Sequence, residues 1–181
     1  MAKTTRLMTA LVLAMSAGMG RPAAADATNP TSPAGVRSSS RVLVALIGQA
    51  TKQSRTFRGL IETIEASDGI VYVEVGKCGS YRRACVDGVT TAGRFRMLWI
   101  EVDTDKADVD LIASIGHELQ HAVEILADSN VRSSAAMFLY YRRVGQRASG
   151  PTTTAFETKA AIDAGNAVRT EIRNALTLTE K

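Results

Sequence analysis

The sequence predicts an α+β fold, with a small antiparallel sheet packed on a central helix and further helices flanking it. Three observations carry this expectation. Residues 70–75 and 94–102 are short runs rich in β-branched and aromatic side chains, which is the composition of strands. Residues 105–127 place Leu111, Ile112, Ile115, Leu119, Ala122, Val123 and Leu126 on one helical stripe. Two more helix-like segments then follow with no further strand pattern, so strands and helices are segregated along the chain.

The elements follow in order. The chain has 181 residues and a mean hydropathy near zero, which suits one globular domain. Residues 1–6 carry Lys3 and Arg6, residues 7–20 are mostly apolar and uncharged, and Ala23, Ala24 and Ala25 are small. That order predicts a secretory signal peptide over residues 1–25 and an exported protein, periplasmic or secreted. The apolar run is shorter than the about 20 residues a membrane-spanning helix needs, so no stable membrane anchor is expected after cleavage. Lys3, Arg6 and Arg21 account for most of the net charge of +4. Without them the chain is close to neutral, and its charge gives no reason to expect nucleic-acid or membrane-surface binding.

Residues 26–40 are rich in Pro, Ser, Thr, Ala and Gly and read as a flexible leader. The folded domain is expected over residues 41–178. Residues 41–66 read as one long helix ended by Ser67, Asp68 and Gly69. The strands 70–75 and 94–102 are expected to pair, with a cysteine-bearing loop between them. Phe95 and Trp99 are expected in the core. Asp105 or Asp108 can cap the central helix. Residues 131–144 form a further helix stopped by Gly145, residues 146–153 a loop, and residues 154–176 the last helix.

Cys78 and Cys85 are the only cysteines. In an exported chain an even count favours one disulfide. A metal-binding pair or two buried thiols are the alternatives, although the spacing is too wide for a C-x-x-C knuckle.

The central helix contains Gly116-His117-Glu118-Leu119-Gln120-His121. Residues four apart project from one helical face. His117 and His121 can therefore bind one zinc ion, and Glu118 can take a proton from the water that ion activates. The competing account is a chance match on an ordinary amphipathic helix. Against it, these two are the only histidines in the chain and both fall in the motif.

With no third histidine, the remaining ligand is expected to be a carboxylate. Glu124, Asp128, Glu157, Asp163 and Glu171 are downstream candidates. Glu124 reads as a solvated residue and Asp128 as a cap. Glu157 is preferred, because the small residues Ala160, Ala161, Ala164 and Gly165 after it would let its helix approach the motif helix closely. Gly116 would help from the other side. The alternative for Glu157 is a capping box, bonding back to the backbone of Thr154.

The H-E-x-x-H run followed by a distant Glu157 resembles the gluzincin branch of the zincin metallopeptidases, in a minimal single-domain form. It is also similar to uncharacterised exported bacterial proteins with a GHELQHA run and a later ET-x-A-A segment. The resemblance covers roughly residues 41–173. It implies a zincin-like fold, one zinc ion held by His117, His121 and Glu157, and Glu118 as the catalytic base. It also implies a peptide or protein substrate paired with a strand beside the cleft, by position residues 94–102. The chain departs from the metzincin pattern, having Glu124 and Ala127 where that pattern has glycine and histidine. The N-E-x-x-S-D type of ligand segment is absent too. No histidine is left to stabilise an oxyanion, so a tyrosine or arginine would take that role; Tyr140 and Tyr141 are candidates, with core packing as the alternative for each. The alternative function is a non-catalytic zincin-like module that binds zinc or a partner. A hydrolase of cell-wall peptide or a small amide is the third.

Overall fold

A computed structural model describes residues 35–79, 82–147 and 156–179. The expected signal peptide, most of the expected leader and most of the 146–153 loop lie outside these residues. The described elements, in chain order, are β1 (Val36–Arg37), α1 (Arg41–Gln53), α2 (Arg55–Glu65), β2 (Gly69–Val75), β3 (Ala84–Ala92) and β4 (Phe95–Val102). They continue with α3 (Val109–Ala127), α4 (Ser134–Val144), β5 (Gln146–Arg147), β6 (Phe156–Glu157) and α5 (Lys159–Thr179). The architecture is α+β.

The sheet is mixed rather than antiparallel. Its order is β1-β2-β4-β3, with β1 parallel to β2, β2 parallel to β4, and β3 antiparallel to β4. The expected pairing of the two apolar strands is present, with Val71 opposite Leu98 and Val73 opposite Ile100. Its direction is parallel because a third strand, β3, lies between them in sequence and forms the hairpin with β4. Gly93, at φ +59°, makes that turn. β3 contains Gly88 and carries a bulge between Val86 and Gly88, so its alternation is weak in sequence. The sheet also takes in Val36, from the segment expected to be a leader, which is fully buried opposite Val71.

The inner face of the sheet presents Val71, Val73, Leu98, Ile100 and Val102 to α2 and α3, where Phe57, Ile64, Leu111, Ile115, Leu119 and Ile125 complete the core. The outer face carries Tyr72 stacked on Trp99 at 5.7 Å between ring centres. Trp99 is half-buried and Phe95 is exposed, so neither belongs to the main core. Strand alternation puts them on the opposite side from Leu98 and Ile100.

That alternation also sends Arg96 inward, where only 3% of it is exposed. Its guanidinium bonds Asp68 at 2.6 Å and the carbonyls of Ile125, Leu126 and Asp128 at 3.0, 2.7 and 2.8 Å. These carbonyls end α3; Leu126 O has no other donor among the described residues, while Ile125 O also accepts the Asp128 N–H and Asp128 O the Val131 N–H. Arg96 thus satisfies the helix terminus and fixes it to the sheet.

The helix expected over residues 41–66 is two helices. Ser54 is fully buried in extended conformation between them. Its hydroxyl accepts the Phe57 N–H and donates to Glu171 at 2.6 Å. Glu171, one of the candidate ligands, thereby binds the start of α2 and not a metal. Asp108, not Asp105, caps α3, accepting the Leu111 N–H at 2.9 Å, while Asp105 pairs with Lys77.

The last helix begins at Lys159, five residues later than expected from residue 154. Phe156–Glu157 instead pairs with Gln146–Arg147 as a short antiparallel ladder. Thr158 caps α5 by accepting the Ala161 N–H at 3.1 Å. Close approach of α3 and α5 relies on glycine. A Cβ on Gly116 would lie 2.9 Å from Val168, and one on Gly165 would lie 3.2 Å from His117 Cβ. Among the described residues no helix is long and apolar enough to cross a membrane.

Candidate metal centre

The H-E-x-x-H run sits in the middle of α3, held between the sheet and α5. His117 and His121 project toward the segment that enters α5. Glu157 meets them there from β6, just ahead of that helix and not on it. Its Oε2 lies 2.8 Å from His117 Nε2 and 3.8 Å from His121 Nε2. All three side chains offer a ligand atom within 4.8 Å of one another.

The geometry fits a metal better than a hydrogen bond. Although Oε2 is close to His117 Nε2, the contact lacks hydrogen-bond alignment, and Oε2 is buried with no hydrogen-bond partner among the described residues. A buried carboxylate oxygen without a donor is costly. Ligands about 2.0–2.1 Å from a tetrahedral zinc ion are separated by about 3.3 Å, and the two measured separations bracket that value. Two imidazoles and a carboxylate are a donor set suited to zinc and to other first-row divalent ions.

The charges in the cluster are strongly coupled. Burial disfavours the His121 cation, but the carboxylates of Glu124, at hydrogen-bond distance, and of Glu157 outweigh it and raise its pKa to about 9. Burial likewise opposes the Glu157 carboxylate, yet the two imidazoles pull its pKa down to about 2. Burial raises that of Glu118, against the opposing pull of His121 and His117.

Glu124, which reads in sequence as a solvated residue, holds His121 in place. Its Oε2 is 3.0 Å from His121 Nδ1, the ring nitrogen facing away from Glu157. Thr158 donates to its Oε1 at 2.6 Å. A carboxylate behind a ligating histidine sets its tautomer and orientation. The i, i+3 spacing from His121 was the signal available in sequence.

Glu118 stands on the other side of the cluster, half-buried. Its Oε2 accepts the Val86 N–H of β3 at 3.0 Å, and Oε1 has no protein partner among the described residues. Tyr141 lines the same cleft, but its hydroxyl donates to the His121 carbonyl at 3.0 Å and packs edge-on against the imidazole. Tyr140 packs against Tyr141 and under Arg143 and does not line the cleft.

Two clefts meet at this cluster, of about 360 and 260 Å³. The larger has a wall of Met137, Phe138, Tyr141 and Phe156. The smaller is lined by Arg82, Arg83, Asn166 and Arg169. Glu118, Glu157 and Arg82 border both.

Cys78 and Cys85 form a disulfide, with Cα atoms 5.7 Å apart. This settles the alternatives of a metal pair or free thiols. The strand by which the resemblance implied substrate pairing, 94–102, is β4, and both its edges are occupied, by β2 and β3. The outer edge beside the cluster belongs to β3, because the hairpin inserted before β4 displaces that strand from the rim.

No family model matches the chain, and comparisons with curated proteins and with solved structures found no match either.

Proposed function

We propose that this protein is an exported, zinc-dependent hydrolase, a minimal zincin-like metallopeptidase of the gluzincin type. The observation that carries the reading is the convergence of His117, His121 and Glu157 Oε2, buried and without a partner among the described residues, beside a cleft in which Glu118 Oε1 has none among them either. A zinc ion bound there would supply Lewis-acid polarisation of a scissile carbonyl and acidify water. His117, His121 and Glu157 would hold it, and Glu124 would keep His121 in its ligating orientation.

Glu118 is the proton carrier. Its Oε2 is fixed by the Val86 N–H, so Oε1 faces the cleft in a defined position. It accepts a proton from the attacking water and returns it to the leaving amine. The edge of β3 supplies backbone groups that can align an extended peptide. The larger cleft encloses an apolar side chain against Phe138 and Phe156. The disulfide supports an oxidising compartment, and residues 1–25 carry the export pattern.

The competing reading is a non-catalytic metal-binding module. The bond from Val86 to Glu118 favours it, since it ties the proposed base to the sheet. Glu118→Gln separates the two. It is expected to keep one equivalent of zinc by elemental analysis and to lower peptide hydrolysis by about 10²–10⁴-fold. Hydrolysis undiminished in that variant would refute the mechanism. No cleavage of any peptide by the zinc-loaded parent would favour the module.

A further inference from the structure

Four basic residues line the two clefts, and three are already neutralised. Lys77 lies 2.8 Å from Asp103 and 3.0 Å from Asp105. Arg83 pairs with Asp108 at 2.6 Å, and Arg169 with Asp110 at 2.8 Å. Arg82 borders both clefts and has no ion-pair or hydrogen-bond partner among the described residues.

Four acids line the clefts with it, Asp87 and Glu101 on the larger one and Glu118 and Glu157 at the cluster, and none forms an ion pair with it among the described residues. Glu157 faces the two imidazoles, and Glu118 accepts from Val86. Arg82 therefore presents a planar set of donors, without a partner among the described residues, at the point where the clefts join. A guanidinium binds a carboxylate through two parallel hydrogen bonds.

Its position is also restrained. It lies three positions before Cys85, whose disulfide to Cys78 closes the loop. Immediately beyond, Ala84 begins β3, and Arg83 is pinned to Asp108 at the start of α3. The backbone of Arg82 is thus tied to both the sheet and the motif helix, so the charge cannot drift far from the cluster.

We infer that Arg82 is a substrate-anchoring residue, and that the site selects peptides carrying a carboxylate close to the bond that faces the cluster. The inference rests on the peptide-binding reading above and assigns its substrate class. The carboxylate is either an acidic side chain or the free C-terminus of a short peptide. These share one chemistry.

The experiment measures binding separately from turnover. The zinc-loaded Glu118→Gln protein is titrated with four fluorescent short peptides of matched apolar sequence. One has a central aspartate and an amidated C-terminus, one is neutral with a free C-terminus, one is neutral and amidated, and one has a central lysine and is amidated. At least one carboxylate peptide is expected to bind about tenfold tighter than the neutral amidated one. Whichever is preferred identifies the source of the carboxylate. Adding Arg82→Ala should abolish the preference, and Arg82→Glu should transfer it to the lysine peptide. A change of sign is not expected from a merely structural residue, and circular dichroism checks that the variants fold. Equal binding of all four peptides, no binding at all, or a preference unchanged in Arg82→Glu overturns the assignment. Cleavage by the protein with Glu118 intact is assayed in parallel. An Arg82-dependent preference without cleavage would refute the hydrolase and leave the anchor standing. Cleavage with no Arg82 dependence would do the reverse.

Discussion

Thr158 Oγ1 donates to Glu124 Oε1 at 2.6 Å, and this one bond joins the two halves of the candidate metal centre. Glu124 orients His121 from behind, and Thr158 is the neighbour of Glu157 and the cap of α5. The position of the carboxylate ligand and the orientation of a histidine ligand are therefore set by a single contact.

That contact has a measurable consequence. Glu124→Gln is expected to weaken zinc binding by about 10- to 100-fold, and Thr158→Val to act in the same direction by less. Competition against a chromophoric chelator gives both values. An unchanged dissociation constant in Glu124→Gln would remove the orienting role.

Glu157 and Thr158 divide two tasks that the sequence could place on one residue. Because Thr158 caps α5, Glu157→Ala should lose stoichiometric zinc while keeping its helical circular dichroism. Full zinc occupancy in that variant would exclude Glu157 as a ligand.

Arg96 carries the junction of sheet and motif helix. Arg96→Leu removes the guanidinium donor from the Asp68 carboxylate and the Leu126 carbonyl, and one of two donors from the carbonyls of Ile125 and Asp128. It is expected to lower stability by about 3 kcal/mol, read from denaturant unfolding. The same pair predicts a pH dependence. Arg96, through its hydrogen bond, holds the Asp68 pKa below its ordinary 3.8. A depressed carboxylate pKa stabilises the fold above the unfolded value and loses that contribution as pH falls through the folded one. The parent should thus lose stability below about pH 4, and Arg96→Leu should lack that increment. Parallel acid unfolding curves would contradict this.

The Cys78–Cys85 bridge closes a short loop. Replacing both residues with serine is expected to lower stability by about 2 kcal/mol through the entropy of the unfolded chain. Urea midpoints under non-reducing conditions measure it, and coincident curves for the two proteins would show that the bridge adds no stability.

Much of the centre was legible because it rests on local pattern. The i, i+4 histidines need only α3, and α3 announces itself by its apolar stripe. Glu157 was found by elimination, aided by the small residues at 160–165. What stayed hidden depends on contacts distant in sequence. Ser54 looks compatible with a continuous helix until Glu171 is brought to it across the fold. The sheet direction depends on β3, whose Gly88 and bulge weaken the period-2 signal. Arg96 gives no signal in sequence, because nothing near it shows that the end of α3 needs its donors. Glu124 looked solvated for the same reason, since Thr158 is distant in the chain.

The glycine contacts between α3 and α5 carry one more consequence, for the order of events during synthesis. A chain made from its N-terminus exposes both histidines well before Glu157, Thr158 and α5 exist. Until the last helix docks against Gly116, the pair lacks its third ligand and the carboxylate clamp behind it is incomplete. On the proposed reading, the chain would gain the capacity to cut only when its own folding is finished.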